Sequence, residues 1–247
     1  MKAVSFARFL ICATILLVGL PPGTPQATAG DILTTGKAIY SQLNEELIIR
    51  DFFQDRRGGF FVDVGASNPR YGSTTYYLEK HLGWSGIGVD ALPEYGPSWK
   101  KKRPKSKFFA YAVTDRSGET VTFYRADWLP VSSLSKEQAE IFVGKGTVTA
   151  VQVPTITLTK LLDDNGVTSI DFLSMDIEGS EPEALAGFDI ERFAPELVCI
   201  EVLLGRSEHR SKISEYFRSH GYERIEAYIK HDRVNWYFKP TTVPENQ

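Results

Sequence analysis

The sequence predicts an α/β fold built on a seven-stranded, mostly parallel sheet that finishes in an antiparallel hairpin. Three observations predict it. Residues 60–90 read as an apolar strand, a glycine turn, a helix and a second strand that ends in a carboxylate. Downstream, strand-length apolar runs alternate with helix-length segments, so that five strand–helix units follow one another. The final stretch breaks this rhythm, with two short strand-like segments on either side of Lys230-His231-Asp232-Arg233.

A lead-in helix is expected over 37–53, where Ile39, Leu43, Leu47, Ile48 and Phe52 recur at helical spacing. Phe60, Phe61, Val62 and Val64 suit a buried first strand, and Gly65 lets the chain turn sharply at its carboxyl end. Residues 73–82 form the next helix with Gly83 as its stop, and 87–90 the second strand. A Pro93-led helix runs to about Lys102, followed by a third strand over 108–113. Turn chemistry at 114–118 precedes an added hairpin strand over 119–124. From 125 to 151 the pattern weakens to loop, with a short helix over 135–143. A helix over 155–162 and a fourth strand over 169–176 come next. Ser180-Glu181-Pro182-Glu183 opens a helix with a serine cap and an early proline, and Gly187 ends it. The fifth strand is 196–201, a helix over 208–220 closes at Gly221, and 224–229 with 234–238 form the hairpin.

The ends and the composition set outer bounds. Lys2 and Arg8 precede an apolar run from Phe9 to Leu20, then Pro21-Pro22 and a small-x-small site at Ala27-Thr28-Ala29. This is the pattern of a cleaved secretory signal, and the run is shorter than the roughly 20 apolar residues that span a bilayer. The expected division is therefore a signal peptide over 1–29, a helical lead-in over 30–57, a main domain over 58–240 and a tail over 241–247. Export to a periplasmic or extracellular space follows if the signal is used. An uncleaved anchor would keep the domain on the same outer side, and a later start codon would leave it cytoplasmic.

Loss of that segment removes Cys12 and leaves Cys199 alone in an apolar strand, which suits a packed thiol and excludes an intramolecular disulfide. With 28 Lys and Arg against 31 Asp and Glu, no basic arm points to nucleic acid, and any membrane contact is expected only through an uncleaved N-terminal segment. The one basic run, Lys100-Lys101-Lys102-Arg103-Pro104-Lys105, reads as a solvated helix end favoured by the macrodipole, with an anionic-substrate patch as the alternative. The sequence is silent on oligomeric state.

In an open parallel sheet, the turn after the first strand and the carboxylate ending the second mark where a nucleoside-bearing ligand binds. A nicotinamide enzyme needs G-x-G-x-x-G there, because a pyrophosphate must approach the backbone. The turn Gly65-Ala66-Ser67-Asn68-Pro69-Arg70-Tyr71-Gly72 has no second glycine at that offset, and no Gly-Lys-Ser/Thr of a P-loop. S-adenosylmethionine carries no phosphate, so one glycine suffices, and Asp90 offers the carboxylate that its ribose needs.

The residues Val62-Asp63-Val64-Gly65-Ala66, the run from Ser73 to Lys80, the run from Gly83 to Asp90, and the block from Ile170 to Glu181 resemble the FkbM-type methyltransferases. Weaker echoes are Ala112-Val113-Thr114-Asp115 and Asn235-Trp236-Tyr237-Phe238. The resemblance implies a Rossmann-like fold of the class I methyltransferase type, S-adenosylmethionine as cofactor, and transfer of a methyl group to a hydroxyl of a small metabolite or glycan. Ser67-Asn68-Pro69 and Ala91 depart from the family's usual continuation of the two strand ends.

Asp63, Gly65, Ala66 and Ser67 at the first turn are expected at the cofactor, with Asp90 and Ala91 on the ribose and Ala112 and Val113 against adenine. Asp176 and Glu178 lie two apart at the end of the fourth strand and so share a face. They can orient a hydroxyl, act as base or help to hold a divalent cation. Glu201 ends the fifth strand beside them, and His209 and His231 are the imidazole candidates. No Cys/His cluster supports zinc, and no metal is expected. The rival expectation is an exported, non-catalytic binding or trafficking module on the same fold, because this cofactor is made in the cytosol. Acceptor specificity is expected to reside in 125–151.

Overall fold

Alternation along the first strand, β1 (Phe60–Val64), sets the layers of the molecule. Val62 and Val64 belong to one apolar core, and Phe61 to a second on the opposite face of the sheet. The computed structural model describes residues 31–143, 146–203 and 205–241. The expected signal peptide lies outside the described residues, as does the expected tail beyond Thr241.

Short helices α1 (Asp31–Thr35) and α2 (Glu45–Phe53) precede β1. β2 (Ser85–Asp90) and β3 (Ser106–Ala110) follow α3 (Tyr76–Leu82) and α4 (Gly96–Lys102) respectively. Then come β4 (Ala112–Val113), β5 (Thr120–Ala126), α5 (Lys136–Val143), β6 (Val148–Ile156) and α6 (Leu158–Asp164). The chain continues through β7 (Phe172–Met175), α7 (Glu181–Ala186), α8 (Ile190–Phe193), β8 (Leu197–Glu201) and α9 (Ser207–Ser219). It ends with β9 (Tyr222–Arg224) and β10 (Asn235–Pro240).

The main sheet has seven strands in the order β3-β2-β1-β7-β8-β10-β9. The pairs among β3, β2, β1, β7 and β8 are parallel, and β10 is antiparallel to both of its neighbours. This is the predicted α/β sheet with its antiparallel end. Ile48, Ile49, Leu78 and Trp84 pack on one face with Phe61 and Phe172. Leu161, Leu185, Ile213 and Phe217 pack on the other with Val62, Leu173 and Val198. Cys199 is buried on β8, as its apolar surroundings predict.

Four local expectations are corrected. The lead-in helix starts at Glu45, not 37, because the Glu46 carboxylate accepts the backbone N–H groups of Ile39 and Tyr40 and holds that segment as a strap. The third strand is split at Tyr111, and its second piece, β4, joins β6 and β5 in a separate three-stranded sheet. Thr155 and Ile156 belong to β6, so the next helix begins only at Leu158, capped by the Thr157 hydroxyl. Ser180 makes no side-chain cap at α7.

One member of the basic run turns inward. The fully buried Arg103 pairs with Glu79 at 2.8 Å and donates to the Thr75 carbonyl and hydroxyl, at 3.3 and 3.0 Å. The Thr75 hydroxyl in turn donates to Asp63 at 2.6 Å. This network fixes the chain that leaves the first turn against α4.

Candidate active site

A crevice forms where β1 and β2 end side by side. Gly65 has φ +83°, and a Cβ there would sit 1.7 Å from the Asp176 carbonyl oxygen, so a side chain at this position would drive β1 and β7 apart. The Gly65 and Ala66 amides both donate to the Val89 carbonyl. Ser67 then adopts φ +41°, an uncommon conformation for a residue with a Cβ. Its N–H donates to Asp90 Oδ2 at 3.0 Å, and its carbonyl accepts from Trp99 Nε1 at 2.9 Å. Asp90 Oδ1 accepts the Leu92 N–H at 2.9 Å, so one carboxylate pins the loops after both strands. Burial pushes the Asp90 carboxyl up to about 6 against the pull of the two amides. Beside it, Tyr95 Oη is buried without a hydrogen-bond partner among the described residues.

The crevice encloses about 50 Å³ of free space, below the usual range for small-molecule sites. Tyr111, Ala112, Val113 and Phe123 form one apolar wall, while Leu129, Pro130, Ser132 and Leu134 close in from the other side. Asp90 and Asp176 open onto this same space.

The carboxylates at the far end are brought together by strand register. β7 and β8 are parallel with Met175 beside Ile200, so the next residues, Asp176 and Glu201, emerge side by side. Asp176, Glu178 and Glu201 each place a carboxylate oxygen within 4.8 Å of the others. Burial, then the charges of Glu178 and Glu181, push Asp176 up to about 8. Burial, then the charge of Asp176, push Glu201 up to about 11, and Glu201 Oε2 is buried without a hydrogen-bond partner among the described residues. Burial raises Glu178 as well. Such a group holds protons near neutrality and can exchange one with a bound hydroxyl, and its oxygens are also the donor type that a hard divalent cation takes.

Glu178 has φ +54° and Gly179 φ +99°, so the chain reverses sharply here. The Ser133 hydroxyl donates to the Glu178 carbonyl at 2.9 Å, and Gln138 Nε2 donates to its carboxylate at 3.3 Å. From the other side, fully buried Glu181 accepts the N–H groups of Ile177 and Gly179 on one oxygen. Its second oxygen meets His209 Nε2 at 2.7 Å. Glu181→Ala leaves those amides and the imidazole unpaired in the interior. The expected loss is about 3 kcal/mol of unfolding free energy, read by urea denaturation. An unchanged midpoint would show that Glu181 is not what holds this loop.

Of the residues singled out in the sequence, Gly65, Ser67, Asp90, Ala91, Ala112, Val113, Asp176 and Glu178 line the one crevice. The others do not. Asp63 alternates to the opposite face of β1, where Thr75 holds it and burial raises its carboxyl. Ala66 is buried in the turn. Glu201 stands behind Asp176, outside the lining. His209 borders a separate depression with Gly205, Arg206 and Lys212 and acts on the loop through Glu181. His231 lies between β9 and β10, where its carbonyl accepts from Asn44. Ser133, Gln138 and the wall from Leu129 to Leu134 come from the weakly patterned segment, and no local signal marked them. Glu181 was legible only as a helix-start residue.

The methyltransferase FkbM domain matches residues 63–224 of the chain. No curated protein matches it. Among solved structures, it is similar to a TehB-like SAM-dependent methyltransferase from Corynebacterium glutamicum, with 16% identity, TM-score 0.46, and coverage of 85% of this chain and 92% of that one. A SAM-dependent O-methyltransferase from Thermotoga maritima matches with 6% identity, TM-score 0.46, and coverage of 87% and 72%. The 1,6-didemethyltoxoflavin-N1-methyltransferase of Burkholderia thailandensis, solved with S-adenosylhomocysteine, matches with 12% identity, TM-score 0.39, and coverage of 79% and 75%.

Proposed function

This chain belongs to the FkbM methyltransferase family, which uses S-adenosylmethionine, and we propose that it transfers the cofactor's methyl group to a hydroxyl of a small molecule or glycan. The observation that carries this reading is one crevice with a ribose-type carboxylate, Asp90, at one end and the Asp176–Glu178–Glu201 carboxyl group at the other.

The residues fit the cofactor. Asp90 accepts one amide on each oxygen and keeps a lone pair on each for a sugar hydroxyl. Ala112, Val113 and Phe123 offer an apolar wall to a base, and the bare backbone of Gly65 admits close approach. When bound, S-adenosylmethionine supplies an electrophilic methyl group on a positively charged sulfur. Asp176 lines the crevice at the carboxyl group, where it could align an acceptor hydroxyl and take its proton, with Glu201 beside it stabilising whichever protonation state results. Transfer to oxygen is favoured over transfer to nitrogen because a hydroxyl must lose its proton as the bond forms, whereas a neutral amine needs no base. The wall drawn from Leu129, Pro130, Ser132 and Leu134, and the Gln138 bond to Glu178, support acceptor recognition by this segment.

Methyl-labelled cofactor incubated with the protein and a panel of glycans and small alcohols, each paired with its deoxy analogue, tests the reading. Label is expected in a hydroxyl compound and absent from its deoxy partner. Label confined to amines would replace oxygen transfer, and absence of cofactor binding by calorimetry would leave the exported binding module as the better account.

A further inference from the structure

A second surface carries charge that the crevice does not use. α3 and α4 end beside each other, and a groove between their ends is lined by Arg57, Arg70, Lys80, Lys101, Lys102 and Lys105 together with His81. None of these six Lys and Arg side chains forms an ion pair with a described residue. Glu79, the acidic side chain in the groove wall, is taken by Arg103. The concentration runs against the chain as a whole, whose net charge is −3. Helix C-termini favour Lys80, Lys101 and Lys102, but Arg57 and Arg70 arrive from separate loops and need another reason to be there.

The rim of the groove is apolar. Tyr71 is 67% exposed, with the Arg70 guanidinium 5.3 Å and the Lys102 ammonium 5.8 Å from its ring centre. Gly72 bridges to Ser41, which brings the strap before α2 to the same rim with Ile39 and Leu43 exposed. Tyr40 on that strap stacks on His81. Exposed aliphatic side chains and a tyrosine beside a basic field are the composition that enters the headgroup region of a bilayer, whereas a nucleic acid gains little from Ile39 and Leu43. The strap also leads back to Asp31. In the sequence, residues 21–30 separate that point from the apolar run Phe9–Leu20, a distance of at most about 35 Å.

We propose that the face formed by Arg57, Arg70, Lys80, Lys101, Lys102 and Lys105 with Tyr71, Ile39 and Leu43 docks the domain on an anionic lipid bilayer. The groove shares no lining residue with the crevice, so docking there covers none of the crevice's walls. The proposal stands independently of the reaction assigned above.

Partition of the full chain onto vesicles of phosphatidylcholine alone, and of phosphatidylcholine mixed with phosphatidylglycerol, tests it. The N-terminal segment, with Lys2 and Arg8 beside its apolar run, is common to the wild type and the variants, so the change in the ratio of the two partition coefficients on substitution reports the basic face. A strong preference for the anionic vesicles, lost at high salt, is expected. Each lysine near such a surface contributes about fivefold, so Lys101→Gln, Lys102→Gln and Lys105→Gln together should lower the ratio about a hundredfold. These substitutions leave the Arg103–Glu79 pair intact, and an unchanged melting temperature confirms a folded variant. Ile39→Ser with Leu43→Ser should reduce partition onto both vesicle types without altering the ratio. Equal partition of the wild-type chain onto both vesicles, an unchanged ratio in the triple variant, or tight binding to RNA without preference for anionic vesicles would overturn the proposal.

Discussion

Asp90→Asn is expected to weaken S-adenosylmethionine binding about a hundredfold while leaving the chain folded. A carboxylate accepts on two oxygens, and an amide on one. In the wild-type protein each Asp90 oxygen already holds a backbone N–H, from Ser67 or Leu92, and has capacity left for a ribose hydroxyl. The variant turns an NH2 toward one of those amides and loses a charged acceptor for the sugar. Hydrogen bonds to a charged group are worth about 1.5–3 kcal/mol each, so losing one to the sugar and leaving the other neutral brings the affinity down by about two orders of magnitude. Calorimetry reads the change directly. Normal affinity in a folded Asp90→Asn chain would remove Asp90 from the ribose site.

The same carboxyl predicts a pH dependence. Burial holds Asp90 near 6, so below that value it is protonated and has lost part of its accepting capacity. Cofactor affinity should therefore rise with pH through about 6 and level off above it. In Asp90→Asn the rise should vanish.

The reach of the sequence can be judged from the two ends of this crevice. The Gly65 turn and Asp90 lie within one strand–helix–strand unit, and local pattern located both. Asp63 was expected at the cofactor, but a residue between Val62 and Val64 faces away from them, toward the α3 side, and there it is found. The pairing of Asp176 with Glu201 was not legible, because it depends on which strands become neighbours and on the register of β7 against β8. The segment over 125–151 failed for a different reason. β6 is exposed along much of its length and belongs to a small added sheet, so its residues lack the apolar run of a central strand. With β6 unread, the strap that carries Ser133 and Gln138 to Glu178 could not be placed.

Asp176→Asn is expected to lower kcat by about 10² to 10⁴ with little change in cofactor affinity, the range over which a general base contributes. Its signature lies in the pH profile. kcat/KM for the cofactor reports the free enzyme and should rise in two stages, near 6 from Asp90 and near 8 from the carboxyl group around Asp176. Glu178 contributes a negative charge that raises Asp176, so Glu178→Gln should move the upper inflection to lower pH. Stability must move in the opposite sense to activity. A carboxyl whose folded value is raised keeps its proton in the native state where the unfolded chain has lost it. Below the unfolded value, about 4, the group costs nothing, and stability then falls as pH climbs toward 8 by up to about 1.4 kcal/mol per unit. Asp176→Asn lacks that ionisation and should melt higher than the wild type at pH 8 and alike at pH 4. A variant that is both inactive and less stable at pH 8 would instead make Asp176 a structural support. A variant that is inactive but more stable is what a buried carboxyl kept for its chemistry, at the expense of the fold, should give.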